Sequence, residues 1–185
     1  LVASHGYLLG QFLNPNINLR SDSYGGSRAG RMRFLQEAIA ATRRGAGEDM
    51  VLGVRLSGDE KDHGGTELDE MLEVCAALDA NPALDYLNIT AGTSAGLAGS
   101  THIVPPMAYE AAYTVPIAAA VKERVAKPVF VAGRINQPQT AAAVLQSGQA
   151  DMCGMTRALI SDPQMPAKAA RGAFDDIRAC VACNQ

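Results

Sequence analysis

His5 and Tyr7 stand two residues apart, just after a short apolar opening, Leu1-Val2-Ala3. A tyrosine can donate a proton to a developing carbanion, and a histidine can hydrogen-bond a carbonyl or carboxylate. By themselves the two are equally compatible with structural roles. Arg55 interrupts the apolar run Val51-Leu52-Gly53-Val54-Arg55-Leu56. A guanidinium on such a strand needs an acceptor, either a carboxylate in an internal salt bridge or a bound anionic or electron-rich ligand. Gly133-Arg134 and Thr156-Arg157 close two further apolar segments. Backbone N–H groups, a hydroxyl and an arginine make a phosphate site, whereas surface arginines would pair with acids. Cys180 and Cys183 form a Cys-x-x-Cys, half of a zinc site, half of an iron–sulfur site, or an unoccupied thiol pair. Cys75 and Cys153 lie singly in apolar segments and read as buried thiols.

The elements that must position these residues alternate along the chain. Leu1 to Ser4 reads as the end of a strand, and Asn14 to Gly26 as a long loop rich in Asn, Pro and Gly. A helix is predicted over Gly30–Arg43, a strand over Met50–Leu56, and a helix opened by Thr66 as N-cap with acids in its first turn. Leu68, Met71, Leu72, Cys75 and Leu78 repeat at helical spacing. Strands follow at Tyr86–Thr90, Pro128–Ala132 and Met152–Thr156. Helices follow at Val115–Val125, Pro138–Ser147 and near Pro166–Gly172.

Short apolar strands alternating with helices predict an α/β fold with a buried parallel sheet. No Gly-x-Gly-x-x-Gly follows a strand, which speaks against a dinucleotide-binding doubly wound sheet. A closed (β/α)8 barrel takes eight strands and roughly 250 residues. The five strands read as strands four to eight of a TIM barrel, a partial barrel whose active site would lie at the strands' C-terminal ends. Such an arc, with two open edges, is expected not to be stable by itself.

The chain has 185 residues, 48% of them hydrophobic, and a net charge of −3. That composition supports a real core and argues against a general nucleic-acid binder. No apolar run is long enough for a membrane span and no secretory leader is visible, so a cytoplasmic protein without a membrane partner is expected.

The segment His5-Gly6-Tyr7-Leu8-Leu9-Gly10-Gln11-Phe12-Leu13-Asn14-Pro15, followed by Asn18 to Ser27, resembles the fourth-strand signature of the old yellow enzyme superfamily. Gly53 to Ser57, Pro128 to Arg134 and Asp151 to Arg157 resemble its fifth, seventh and eighth strands. The tail from Gly172 to Asn184 is similar to that of the long branch, which includes 2,4-dienoyl-CoA reductase and trimethylamine dehydrogenase. The resemblance implies FMN in the barrel, a 4Fe–4S cluster at its exit and a further C-terminal domain for FAD or a dinucleotide. Residues 1–172 would belong to the barrel, and 173–185 would begin the cluster-binding segment.

Carried over by position, Tyr7 matches the proton donor and His5 a substrate-binding residue. Arg55 matches the arginine at the flavin N1/O2 edge, and Gly133, Arg134, Thr156 and Arg157 match the phosphate cradle. Cys180 and Cys183 match the first two cluster ligands. The implied activity is reduction of an activated C=C bond in a small-molecule substrate, driven by NAD(P)H. Oxidative N-demethylation on the same scaffold is the alternative, and a non-catalytic phosphate-binding barrel with a zinc-ribbon tail is a third reading. The chain departs from the family pattern at Ala29-Gly30, where Glu-Asn is usual. Val2 and Thr93 replace two polar groups of the amine pocket, which argues against trimethylamine as substrate.

Overall fold

The computed structural model of the chain describes residues 1–184. In chain order its elements are β1 (Val2–Ala3), α1 (Leu8–Leu13), α2 (Arg28–Ala46), β2 (Gly53–Asp59), α3 (Leu68–Asp79), β3 (Tyr86–Ala91) and α4 (Leu97–Ile103). There follow α5 (Val115–Lys122), β4 (Val129–Ala132), α6 (Pro138–Gln146), β5 (Met152–Gly154), α7 (Thr156–Ser161) and α8 (Met165–Ala170). The five strands form one parallel sheet in the order β1-β2-β3-β4-β5. Sequential parallel strands joined through helices are the construction of a (β/α)8 barrel, and this sheet is an arc of one.

Strand alternation sorts the side chains onto two faces. Val54, Leu56, Leu87, Ile89, Val129 and Val131 are fully buried on the face covered by helices, in one core with Leu35, Ile39, Cys75, Leu78 and Val121. On the inner face the register sets Val2, Arg55, Asn88, Phe130 and Met152 in one row across the strands. Below that row Tyr86 stacks on Phe130, with ring centroids 4.3 Å apart. Position 53 must be glycine, because a Cβ there would lie 2.1 Å from the Tyr86 ring.

Several boundaries differ from the sequence expectation, each for a local reason. β2 starts at Gly53 rather than Met50: the Leu52 N–H is taken by the Asp85 carboxylate at 2.6 Å, and Met50 and Val51 stay exposed. Thr66 is not the N-cap of α3. It is buried, its N–H donates to Glu60 Oε2 at 2.7 Å, and Glu67 takes the cap position without a side-chain bond. Thr156 and Arg157 do not end the last strand but open α7. The short helices α1, α4 and α7 escaped the sequence pattern, and α4 contains Gly99, a poor helix former.

The Asn14–Gly26 loop is tightly anchored. The buried Asn14 donates to Glu60 Oε2 at 2.7 Å and accepts the Asn16 N–H at 2.7 Å. Arg31 donates to the carbonyls of Leu13 and Gly26 at 3.0 and 2.6 Å and to Glu70 at 2.5 Å. Gly30, at the departure noted above, lets the first turn of α2 lie directly on the backbone of Gly25. Among the described residues no helix is long and apolar enough to cross a membrane.

Candidate active site

The chain leaves β1 through two residues with left-handed backbone, His5 (φ 60°) and Gly6 (φ 75°). The strain at His5 is held from both sides. Its N–H donates to Ser57 Oγ at 3.0 Å, and its carbonyl accepts from the Ser94 N–H and hydroxyl at 3.0 and 2.9 Å. The imidazole is buried, and its Nδ1 has no hydrogen-bond partner. Burial first, and then the Arg55 cation, pull its pKa down to about 4, partly offset by a hydrogen bond with the Gly92 carbonyl. At neutral pH it is a neutral ring with an unpaired nitrogen. Tyr7 stands at the N-cap of α1 and is 60% exposed, so its hydroxyl can meet a molecule arriving from solvent.

Arg55 lies between this rim and a pocket of about 220 Å3 at the C-terminal ends of β3, β4 and β5. Gly133, Arg134, Thr156, Arg157 and Cys180 line the same pocket, while His5, Tyr7 and Cys183 lie outside its lining. A side chain at Gly133 would run into Thr114, whose hydroxyl donates to the Ala132 carbonyl at 3.3 Å. Arg134 follows in left-handed conformation (φ 50°), its carbonyl accepting the Ala112 N–H at 2.9 Å. In the first turn of α7 the leading backbone N–H groups lack intrahelical acceptors.

The internal salt bridge considered for Arg55 is absent, as are acid partners for Arg134 and Arg157, among the described residues. The Nε atoms of Arg55 and Arg134 are buried without a partner. The side-chain bond of Arg55 is a long one, 3.4 Å to Thr90 Oγ1, and burial lowers its pKa. Three guanidinium groups line one small pocket that holds no carboxylate among its described lining residues, an arrangement chemically suited to an anionic, electron-rich molecule.

The tail lines the pocket without regular secondary structure, with Ala182 and Asn184 in left-handed conformation (φ 58° and 61°). Ser161 Oγ donates to the Arg178 carbonyl at 3.0 Å, and Asn136 Nδ2 donates to the Cys180 carbonyl at 2.6 Å. Asn184 donates to the Val104 carbonyl at 2.6 Å and accepts from Arg157. Asp162, held down to about 2 chiefly by its hydrogen bond from Lys168, accepts the Arg178 N–H at 2.9 Å. Ala182 is thereby buried against the pocket, Cys180 is half-buried and Cys183 is exposed. Two thiols are half of a four-thiolate set, and no group of three or more metal-ligating side chains occurs among the described residues. Cys75 is the inert buried thiol expected, its pKa pushed up to about 12 by burial.

Sequence reasoning passed over Asn136, which gives no local signal in Ile135-Asn136-Gln137. It also passed over His102, whose ring lies 4.7 and 5.6 Å from the rings of Tyr109 and Tyr113. His102 borders a separate open groove with Asp59, Asp62 and His63.

A parallel barrel arc, with arginines that lack acid partners among the described residues gathered around a pocket at its strand ends, defines the chain as part of an α/β-barrel protein. The model of the NADH:flavin oxidoreductase / NADH oxidase family matches residues 1–176, and the chain belongs to that family. This is the old yellow enzyme family. The chain is 40% identical over 186 residues to a metal reductase of Desulforamulus reducens, covering 100% of this chain and 27% of that protein. It is 37% identical over 184 residues to the N,N-dimethylglycine/sarcosine dehydrogenase of Chromohalobacter salexigens, covering 100% of this chain and 26% of that protein. A 2-naphthoyl-CoA reductase, solved with 2-naphthoyl-CoA, superposes with a TM-score of 0.91 at 32% identity, covering 100% of this chain and 27% of that one. The chain thus spans about a quarter of the length of these relatives.

Proposed function

We propose that the whole protein is an FMN-dependent reductase of activated C=C bonds, with NAD(P)H as reductant. The observation that carries the flavin assignment is the pocket shared by Arg55, Arg134 and Arg157, whose guanidinium groups have no acid partner among the described residues. FMN suits it: a phosphate matches the Gly133-Arg134 loop and the start of α7, and an electron-rich ring edge matches Arg55. When bound, FMN supplies the hydride chemistry that links a nicotinamide to a C=C acceptor.

The chain's own residues then have distinct tasks. Arg134, Arg157, Thr156 and the Gly133 backbone anchor the phosphate. Arg55 places a positive charge where negative charge grows on reduction. His5, neutral and with Nδ1 unpaired, hydrogen-bonds the activating group of the substrate. Tyr7, exposed at the same turn, gives its hydroxyl proton to the α-carbon while hydride reaches the β-carbon. Cys180 and Cys183 would be two of the ligands of a 4Fe–4S cluster, and no step of this reading runs through it.

A second reading, oxidative N-demethylation, is favoured by the 37% identity to the dimethylglycine/sarcosine dehydrogenase. Against it, Thr93 is a buried neutral hydroxyl and Val2 an apolar side chain, so neither offers an ammonium group a negative charge. Stopped-flow absorbance of the full-length protein separates the two. The first predicts bleaching of the flavin peaks by NAD(P)H and their return on adding an enone. Bleaching by an N-methylated amine without NAD(P)H, and no response to enones, would establish the second.

A further inference from the structure

Arg55 on β2 and Asn88 on β3 are Cα partners in the parallel register. Both belong to the inner row of the sheet, so their side chains leave the backbone on the same face. Arg55 Nε and Asn88 Oδ1 are each buried and each without a hydrogen-bond partner. One can only donate and the other can only accept. Such complementary vacancies on adjacent positions are rare, because buried polar groups are nearly always paired.

The neighbours offer neither atom a better partner. On its other side Asn88 is in register with Phe130, whose ring is occupied in the stack with Tyr86. Arg55 holds one terminal nitrogen 3.4 Å from Thr90 Oγ1, near the upper limit for a hydrogen bond, and has no carboxylate partner among the described residues. A guanidinium so loosely held has no fixed aim, although the pocket it lines requires one.

We propose that Asn88 is the positioning residue of Arg55: its amide oxygen accepts the Arg55 Nε–H and so turns the two terminal nitrogens toward the electron-rich edge of the bound flavin. This rests on the assignment of Arg55 to the flavin. A change in the Arg55 side-chain torsions makes the bond, and filling the pocket would fix it. Asn88 itself need not touch the cofactor. Its effect passes through the direction of the Arg55 charge, and that charge favours reduced over oxidised flavin.

The test uses full-length holoenzyme and reads the flavin midpoint potential by dye equilibration, together with the affinity of the apoprotein for oxidised FMN. Arg55→Met, Asn88→Leu and the double variant are compared with the wild type. Asn88→Leu should reduce the preference for reduced over oxidised FMN by up to about tenfold, which lowers a two-electron potential by about 30 mV. Affinity for oxidised FMN should change by less than about threefold. In the Arg55→Met background the Asn88 substitution should add nothing, a result that a merely structural role would not give. If Asn88→Leu fails to retain FMN, Asn88→Ala is read in the same way. An Arg55→Met shift without an Asn88 shift overturns the positioning role and leaves the Arg55 assignment standing. An equal Asn88 shift in both backgrounds also overturns it, since Asn88 would then act without Arg55. An unchanged potential in Arg55→Met removes the assignment beneath it and the proposal with it.

Discussion

Asn136 Nδ2 donates to the carbonyl of Cys180 at 2.6 Å, tying the loop after β4 to the cysteine-bearing tail. Asn136 and Cys180 line the same pocket as Arg134, so the tail and the loop after β4 share one anchor. Asn136→Ala in the full-length protein should loosen the tail. Trypsin should then cut the Arg178–Ala179 bond several-fold faster, because cleavage of a locally opened segment tracks its open population. An unchanged cleavage rate would mean that the contacts of Asp162 and Asn184 suffice.

Tyr7→Phe removes a hydroxyl and little else, since the ring is mostly exposed. Flavin content and reduction by NAD(P)H should stay as in the wild type. Reoxidation by an enone should slow by roughly 10²–10⁴-fold, the usual worth of a general acid. Stopped-flow measurement of each half-reaction checks this, and an unaltered enone rate would remove Tyr7 as the proton donor.

His5 sets a pH dependence whose sign follows from its lowered pKa. The folded imidazole stays neutral down to about 4, whereas an unfolded one protonates near 6.5. Above pH 6.5 neither state is protonated. As pH falls from 6.5 to 4 the unfolded chain gains a proton that the folded chain refuses, so stability declines through that window. At about 1.4 kcal/mol per pKa unit, the loss from pH 7 to pH 5 is about 2 kcal/mol. Urea unfolding at both pH values should show a smaller loss for His5→Asn than for the wild type. Equal losses would place the titrating group elsewhere.

Gly30→Ala pits helix propensity against packing. Alanine stabilises a helix interior by about 1 kcal/mol over glycine. The new Cβ, however, would lie 2.2 Å from the Gly25 carbonyl oxygen, a backbone atom. Overpacking should prevail, with a net loss of roughly 1–3 kcal/mol. Thermal unfolding decides, and a raised Tm would show that the loop gives way.

The sheet has β1 and β5 at its edges, with Val2 49% and Met152 51% exposed. Open apolar edges recruit other strands. The 185 residues expressed alone should therefore elute as oligomers or aggregates in size-exclusion chromatography. A monomer with one cooperative urea transition would refute this.

The periodicity of apolar residues, the Gly-Arg and Thr-Arg pairs after the last strands and the His5–Pro15 signature are local features. They are enough to predict a parallel barrel arc and its family. Local torsional preference and side-chain alternation act over a few residues, so they can be read from neighbours in the chain. What the sequence left open was which distant groups meet. Nothing near Arg55 says that Asn88 is its register partner, or that no carboxylate among the described residues reaches it. Nothing near Asn136 points to Cys180, 44 positions away. Thr66 had every local mark of an N-cap, yet its carbonyl accepts the Glu60 N–H at 2.9 Å instead of a helix N–H, and the first helical bond runs from Met71 N–H to the Glu67 carbonyl. Thr156 and Arg157 likewise turned from strand to helix after a strand of three residues. Such pairings depend on register, burial and the competition of several acceptors for one donor, and these exist only once the chain has folded.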